Sequence, residues 1–438
     1  MAEVNKVVVN KTNKSDTKNA IKRFLVDSSV PILFVIVCLL GVYFSKLPML
    51  FIVDTLLSRI TRNSFLVLAL IIPVIAGLGL NFGIVIGAMA GQFAIIAVKH
   101  WGIGGFPGFM VCIAVSTPLA ILFGILTAKL LNKTKGQEMI SSMIAGFFAT
   151  GIYQFVLLFL VGTLIPMKDE VLVLTRGIGV TNTIDLSKGG NLTYSLDNLM
   201  KLPLFQVLAA VSAFALIIIL IDYYLKRKDS REYSYFKLAW RVLLCIGIFA
   251  VSWYVVSSKL PVRIVKLPIA TTLVILALCF FNSLILRTKL GQDFRTVGQD
   301  LHIAKISGIN VDKTREIAVV ISTLLAAWGQ IIFLQNIGTL STYGSHVQVA
   351  TFAIAAILLG GASVTKATNG QAILGIILFH TLFIVSPKAG NNLFGEAQIG
   401  EFFRAFVAYG VIGVALGLHA WKKTVQTMKK KTGPSAGE

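Results

Sequence analysis

Charged residues are scarce in this sequence. Only 13% of its 438 residues are Asp, Glu, Lys or Arg, whereas soluble domains carry roughly one-quarter. Hydrophobic residues make up 56% of the chain, and its mean hydropathy is +0.82. Such a composition excludes a soluble multidomain protein, because too little charge is present to cover a water-facing surface. The sequence therefore predicts a polytopic integral membrane protein.

Reactive groups are also scarce. The sequence holds no G-x-x-x-x-G-K-[ST] phosphate loop, and its four cysteines and five histidines show neither metal-ligand nor catalytic spacing. We therefore predict no catalytic residue, no metal site and no cofactor bound by this chain. From Ile317 to Thr365 it contains no Asp, Glu, Lys or Arg. Ion-coupled transporters usually hold their cation on an intramembrane ionisable group, so this gap disfavours that alternative, although carbonyl and hydroxyl oxygens can also hold sodium.

Apolar segments long enough to cross a bilayer recur along the chain. A crossing helix needs about 17 to 25 residues. The segments that fit are 31–53, 107–128, 139–166, 205–225, 237–257, 268–286, 317–335, 369–387 and 400–421. Two uncharged stretches, 64–98 and 344–365, favour short discontinuous or re-entrant helices buried in protein. The predicted fold is an all-α transmembrane bundle of about ten helices with such short segments.

Lys and Arg outnumber Asp and Glu by 40 to 19, giving a net charge of +21. The basic residues cluster in the connections between spans, which indicates membrane topology rather than nucleic-acid binding. We expect a multi-pass protein of the cell membrane with both termini in the cytoplasm. The predicted parts are a basic cytoplasmic tail (1–30), a transmembrane domain (31–421) with an extracytoplasmic connection (167–204) and a cytoplasmic charged segment (287–316), and a basic tail (422–438).

The charged segment 287–316 separates two apolar spans. Four of its apolar residues recur at helical spacing: Phe294, Val297, Leu301 and Ala304. This spacing predicts one amphipathic helix over Gln292–Ile306, with Gly308 ending it and Asp312 or Thr314 capping the next helix. An ordinary solvated loop is disfavoured, since its apolar stripe would be exposed. A helix-turn-helix unit of this kind can transmit movement from a soluble partner into the membrane.

Amide side chains within apolar segments point to a solute path. Such groups are costly in hydrocarbon unless they face protein or water. The candidates are Asn81, Gln92, Gln154 and Gln330. They favour a polar, uncharged or zwitterionic solute, although each can simply bond between helices. The glycines Gly79, Gly83, Gly87 and Gly91 repeat every fourth residue, and this pattern is more typical of close helix packing than of ligand contact.

Several segments together resemble one transporter family. Residues 291–298 (GQDFRTVG), followed by Ala304 and by residues 307–311 (SGINV), resemble the cytoplasmic coupling loop of ABC importer permeases of the ribose, nucleoside and branched-chain amino acid type. Three further segments agree in order and spacing: 79–83 (GLNFG), 137–144 (QEMISSMI) and 353–361 (AIAAILLGG). The last ends in the pair Gly360 and Gly361, which we assign to helix packing with the four glycines above.

The resemblance implies a permease subunit of an ATP-driven importer for a small polar solute such as a sugar, nucleoside or amino acid. It implies a second permease, identical or related, together with cytoplasmic ATPase subunits that bind ATP and Mg²⁺, and an extracytoplasmic solute-binding protein. The residues implied in ATPase coupling are Gly291, Phe294, Arg295, Val297, Gly298, Ala304 and Gly308. Arg295 would pair with the ATPase, and Phe294 and Val297 would fill its groove. The alternatives are an ion-coupled secondary transporter and a membrane scaffold or enzyme.

Overall fold

A computed structural model describes residues 28–167, 172–174, 177–228, 235–258, 260–396, 398–406, 409–410, 413–414 and 417. The C-terminal tail 422–438 and nearly all of the N-terminal tail 1–30 lie outside the described residues, as does part of the predicted span 400–421. Helices dominate the part that is described.

The described helices are, in chain order, α1 (Ser29–Ser45), α2 (Met49–Leu68), α3 (Ile71–Ile75), α4 (Ile84–His100), α5 (Gly105–Lys133), α6 (Glu138–Phe155), α7 (Leu204–Lys228), α8 (Tyr235–Ser257), α9 (Ile269–Ile285), α10 (Lys289–Gln299), α11 (Leu301–Ile306), α12 (Val311–Ile337), α13 (Ser345–Leu359) and α14 (Asn369–Phe394). Residues 398–406 are also helical. A π-helical turn, Val156–Leu160, extends α6.

Four short strands tie distant parts of the chain together. They are β1 (Thr183–Asp185), β2 (Lys201–Pro203), β3 (Lys266–Pro268) and β4 (Thr339–Ser341). β1 pairs antiparallel with β4, and β2 pairs antiparallel with β3.

Within the described residues, seven helical stretches are long and apolar enough to cross a membrane, and the number is eight if α9 and α10, which meet at an angle of 75°, are counted as one span. α1, α4 and α13 are shorter apolar helices. This confirms the predicted all-α transmembrane bundle, and the chain is a multi-pass membrane protein. The uncharged stretches 64–98 and 344–365 do contain short helices, namely α3, α4 and α13, because turns interrupt each stretch.

The predicted first span 31–53 is wrong. α1 stops before Pro48, and α2 begins directly after it. The residue before a proline is disfavoured in the helical region, and Lys46 already adopts a left-handed conformation with φ 50°. α2 therefore forms a separate crossing that carries Arg59 and Arg62 in its interior, where the sequence had suggested a connection between spans.

α12 lies at the centre of the bundle and packs against α2, α4 and α5. A Cβ atom on Gly87 of α4 would clash with the carbonyl of Thr323, and one on Gly91 would lie 2.6 Å from the carbonyl of Ala327. The absence of side chains at Gly87 and Gly91 thus lets the backbones of α4 and α12 approach closely.

The other glycines of the predicted packing set have different positions. Gly79 lies in the turn before α4 with φ +67°, and Gly83 is the residue that precedes the helix. The expectation that all four glycines line one helix face is therefore wrong, because only Gly87 and Gly91 lie within α4. Gly360 packs against the backbone of α14, and Gly361 lies against Pro31 with φ +84°.

The two ends of the bundle have different characters. The charged segment lies next to the start of α12, and β4 follows the end of that helix, which at 27 residues is about 40 Å long. Lys99, at the end of α4, donates hydrogen bonds to the carbonyls of Gly189 and Gly190. These contacts, with the pairing of β1 and β4, place the described part of the connection from 177 to 204 at the end opposite to the charged segment.

Candidate functional site

The charged segment forms two helices rather than the single helix predicted. Asp300 separates α10 from α11 in an extended conformation (φ −157°), and its carboxylate accepts hydrogen bonds from the backbone N–H groups of His302 (2.7 Å) and Ile303 (3.0 Å). These two bonds hold the pKa of Asp300 below its usual value, and the bond from Ile303 has the larger effect. A carboxylate that caps a new helix ends the previous one, which explains the break.

The end of this segment differs from prediction in one residue. Gly308 has φ +77° after α11, as a helix stop requires. Neither Asp312 nor Thr314 caps α12, however. Asn310 does so, because its Oδ1 accepts a hydrogen bond from the backbone N–H of Lys313 at 3.1 Å.

The apolar face of α10 is turned towards this chain's own bundle. Phe294 is 0% exposed and Val297 is 2% exposed, and Ala304 of α11 is also fully buried. The expectation that Phe294 and Val297 fill a groove of an ATPase is therefore wrong, since burial within the bundle removes them from any partner. Arg295 is exposed on the outer face of α10.

Two glycines let α10 approach the backbone of neighbouring segments. A Cβ on Gly298 would clash with the carbonyl of Ile75, and a Cβ on Gly77 would lie 2.7 Å from the Cα of Gly298. A Cβ on Gly291 would clash with the carbonyl of Ile285 at the end of α9. α10 is thus wedged between the end of α9 and the turn that follows α3, which leads into α4.

A cavity of about 840 Å³ opens beside α10 at this end of the bundle. Its lining includes the basic side chains of Arg287, Arg295 and Lys366, with Gly298 and Asn369. The end that carries the charged segment is therefore both concave and basic.

A buried ion pair fixes the start of α12. The Arg315 side chain is 1% exposed and donates hydrogen bonds to Glu138 Oε1 at 2.7 Å and to the carbonyl of Leu131 at 3.2 Å. Nearby, the exposed Lys135 pairs with Asp312 at 2.5 Å. Both pairs join α12 to the α5–α6 connection. The sequence analysis missed Arg315, because its position in the charged segment suggested solvent.

Four helices bring four buried polar side chains and one half-buried one, Thr150, together inside the bundle. We call Gln92, Thr150, Gln330, Ser345 and His346 the interior polar cluster. His346 Nδ1 lies 3.1 Å from Gln92 Oε1, and its Nε2 lies 3.4 Å from Thr150 Oγ1. Gln330 donates from Nε2 to Ser345 Oγ at 3.2 Å. The cluster thus joins α4, α6, α12 and α13.

The interior polar cluster has unused hydrogen-bonding capacity. Gln92 Nε2, Gln330 Oε1 and the hydroxyl of the adjacent Tyr153 are buried and have no partner among the described residues. The Tyr153 and His346 rings lie 5.0 Å apart. A buried polar group without a partner costs about 1–3 kcal/mol, so a water molecule or a polar solute at this position would be stabilised.

Of the four amides predicted to line the path, only two lie in the same cluster. Gln92 and Gln330 lie in the interior polar cluster, where a Cβ on Gly91 would come within 3.2 Å of the Gln330 Cβ. Asn81 forms a turn before α4, with its Oδ1 accepting from the Gly83 N–H at 2.9 Å. Gln154 is half-buried outside the cluster. The sequence analysis missed His346 and Thr150. His346 was one of five scattered histidines, and the uncharged stretch around it was the available signal.

A family model described as the branched-chain amino acid transport system permease component matches residues 52–416. The chain belongs to this family. The match covers the bundle from α2 onward, including the charged segment and the interior polar cluster. The resemblance to an ABC importer permease subunit is therefore confirmed.

This permease is similar to several named transport proteins. It is 24% identical over 378 residues to the xylose transport system permease protein of Haemophilus influenzae, covering 85% of this chain and 89% of that one. It is 36% identical over 131 residues to the autoinducer 2 import system permease protein of Klebsiella pneumoniae, covering 30% and 37% of the two chains. No solved structure matches the permease.

Proposed function

We propose that this permease forms the translocation path of an ATP-driven importer for a small polar solute, with the motor on a separate ATPase. The observation that carries the proposal is the backbone contact between Gly298 of α10 and Gly77. Gly77 belongs to the turn that leads into α4, and α4 carries Gln92 of the interior polar cluster. A displacement of α10 would thus be passed directly to a helix that lines the polar interior.

The coupling works through the outer face of α10. ATP binding closes the two ATPase subunits and moves α10, whose exposed Arg295 contacts an acidic or carbonyl site on the ATPase. Phe294 and Val297 lock α10 to the bundle, so the movement is transmitted instead of being absorbed by a mobile loop. α4 and α9 then tilt together, and the solute path that contains the interior polar cluster changes the side of the membrane to which it opens.

The arrangement of charge supports an orientation. The end with the charged segment would face the cytoplasm, with ATP and Mg²⁺ bound by the partner ATPase and no cofactor on this chain. Both chain termini would lie on the same side. The connection 167–204 would be extracytoplasmic and would receive the solute from a binding protein. A second permease, identical or related, would complete the path.

The interior polar cluster supports a solute with several hydroxyl or amide groups. Its members offer hydrogen-bond donors and acceptors without charged carboxylates or amines: two amides, two hydroxyls and an imidazole. Similarity to a xylose permease and to autoinducer 2 permeases agrees with a sugar-like solute. We therefore extend the proposal to a small polyhydroxylated molecule, with the binding protein setting most of the selectivity.

Reconstitution tests this function. The tagged permease would be purified from its native membrane with its ATPase and any second permease, placed in proteoliposomes, and supplied with the binding protein and labelled xylose, ribose or adenosine. Uptake that requires ATP and survives an ionophore is expected. Arg295→Glu should abolish this uptake while leaving insertion intact. Uptake by the permease alone that collapses with the ionophore would instead establish an ion-coupled transporter and overturn the proposal.

A further inference from the structure

Two arginines lie in the interior of a membrane-spanning helix. Arg59 and Arg62 are near the middle of the 27-residue span Met49–Ile75. Residues 63–75 of this span are all buried. Residues three apart on a helix share one face, so the two side chains project to the same side. Intramembrane arginines are rare, and when present they pair with another group or face a water-filled cavity.

No carboxylate of the described chain neutralises these two arginines. Neither side chain makes an ion pair or donates a hydrogen bond within the described ranges, and the Nε atoms of both are enclosed without a partner. The neighbouring charges have the same sign: Arg62 lies on the same helix face as Arg59, and Arg404 contacts the same Phe383 ring. Asp54, the acid on the same helix, is exposed. An uncompensated cation pair in a largely buried helix is costly.

Aromatic rings surround the two guanidinium groups. The Arg59 Cζ lies 4.7 Å from the centroid of the Phe383 ring, and the Arg62 Cζ lies 5.7 Å from that of Phe333. These contacts orient the guanidinium groups, but a ring quadrupole leaves the full positive charges in place. Arg404 shares the Phe383 ring at 5.1 Å and is paired with Glu401. The charge of Arg404 thus has a counter-ion, whereas those of Arg59 and Arg62 have none within the described ranges.

A buried imidazole lies next to these arginines. His380 of α14 is 1% exposed, and its Nδ1 has no hydrogen-bond partner in the part of the chain that the structure describes. His380 precedes Phe383 by three residues on α14, so it shares the helix face whose Phe383 ring contacts Arg59. The site therefore combines two unpaired guanidinium groups with a further unsatisfied polar atom.

Arg59 lies towards the end of the bundle opposite to the charged segment. Arg59 and Arg62 are half-buried as whole residues, although their Nε atoms are enclosed. Ser58, which precedes Arg59, donates a hydrogen bond to Asn336 Oδ1 at 3.3 Å, and Asn336 donates to Asp197 Oδ2 at 2.6 Å. Asp197 belongs to the connection at that end, so these contacts place the start of the arginine pair near the connection.

We propose that Arg59 and Arg62 form a binding site for the phosphate or carboxylate group of an anionic ligand. Guanidinium groups present paired N–H donors that match the oxygens of these anions, and two on one helix face can hold one anion between them. A solute and a lipid headgroup offer the same chemistry here. If the anion is the transported solute, this inference rests on the proposed function. The presence of an anion site does not depend on that function.

Inorganic phosphate is the first probe. The full chain, purified in a neutral detergent and depleted of lipid, would be titrated with phosphate at constant ionic strength, and its thermal unfolding midpoint recorded. We expect the midpoint to rise with phosphate for the unmodified chain. In Arg59→Gln and Arg62→Gln the apparent affinity should fall by about tenfold or more, since a charged hydrogen bond contributes about 1.5–3 kcal/mol. Arg404→Gln is the matched control and should keep the full response.

A parallel titration with short-chain phosphatidylglycerol separates the two sources. A response to phosphate supports a soluble anion, whereas an arginine-dependent response to the lipid alone identifies the headgroup as the ligand. No response to either probe, or an equal response in the Arg59 and Arg62 variants, overturns the site. Such an equal response would mean that the two arginines serve only packing or a subunit contact.

A measurement on the unmodified chain covers variants that fail to fold. Phenylglyoxal modifies accessible arginines, and mass spectrometry locates the products. The ligand that raises the midpoint should protect Arg59 and Arg62 without protecting Arg404; equal modification with and without it overturns the site. Because only the isolated chain is used, failure here leaves ATP-driven uptake untouched, and failure of that uptake leaves the anion site untouched.

Discussion

Gly298 of α10 and Gly77 in the turn after α3 approach so closely that a Cβ on Gly77 would lie 2.7 Å from the Gly298 Cα. A Cβ on Gly298 itself would clash with the carbonyl of Ile75. Each position therefore accepts only glycine without a backbone shift. The contact joins the charged segment to the start of α4, and thereby to the polar interior of the permease.

Gly298→Ala should therefore damage both stability and coupling. The added methyl group must push α10 away from the turn after α3, and overpacking of this kind costs about 1–3 kcal/mol. We expect a lower thermal unfolding midpoint in detergent and a loss of ATP-driven uptake in proteoliposomes.

Gly151→Ala is the control, because a Cβ at that position meets nothing within 4 Å. It should match the unmodified permease in both measurements. If Gly298→Ala matched it too, the close contact would have no role in either property.

The buried pair of Arg315 and Glu138 should contribute far more to stability than its exposed neighbour. Arg315→Ala leaves Glu138, whose side chain is only 13% exposed, without its cation, and removal of one partner of a buried pair costs about 3–5 kcal/mol. Lys135→Ala removes one partner of the exposed pair with Asp312, whose side chains are 40% and 60% exposed, and such pairs contribute about 0–1 kcal/mol.

Thermal unfolding of the two variants in the same detergent measures this difference. A double-mutant cycle with Glu138→Ala isolates the interaction, since the second substitution should add little once Arg315 is absent. Equal losses for Arg315→Ala and Lys135→Ala would contradict the assignment of Arg315 as the anchor of α12.

Asp300 should control the order of α11 through its capping bonds. In Asp300→Ala the N–H groups of His302 and Ile303 lose their acceptor, so hydrogen exchange of the amides in Leu301–Ile306 should accelerate. Asp300→Asn should retain the slow exchange, because asparagine caps equally well. Asp293→Ala, elsewhere in the charged segment, should have no effect on these amides.

The pH dependence of this cap follows from the lowered pKa of Asp300. A depressed carboxyl pKa means that the stabilising charge is complete above the ordinary aspartate pKa and is lost as the pH falls through the lowered value. The difference in exchange between the unmodified chain and Asp300→Ala should therefore stay constant across the neutral range. A difference that vanished at neutral pH would contradict the capping role.

The sequence predicted the fold class and the helical character of the charged segment, because both depend on local composition and spacing. An apolar stripe at helical period shows that α10 has a buried face. The stripe alone leaves open what buries that face, and this is why Phe294 and Val297 were assigned to a partner although they pack within the chain. The break at Asp300 was missed because helical periodicity continues across it.

The residues that the sequence analysis missed all depend on contacts between distant segments. His346 has polar partners only where α13 meets α4 and α6, and Arg315 has its counter-ion only where α12 meets Glu138. Arg59 and Arg62 were assigned to a connection between spans, because charged residues normally mark the end of a span. Pro48 was the local signal that a new helix begins at Met49, and a helix that starts there places both arginines inside a span.

Gln92→Leu tests whether the interior polar cluster contacts the solute. Leucine keeps most of the volume but removes the acceptor for His346 and the unpaired Nε2 that faces the cluster. Loss of one solute hydrogen bond, at about 1.4 kcal/mol, corresponds to about tenfold weaker apparent uptake affinity. Gln154→Leu is the same change on a half-buried residue outside the cluster and should transport normally. A purely structural cluster would give the opposite pattern, with Gln92→Leu lowering the unfolding midpoint while the uptake affinity of the remaining folded protein stays unchanged.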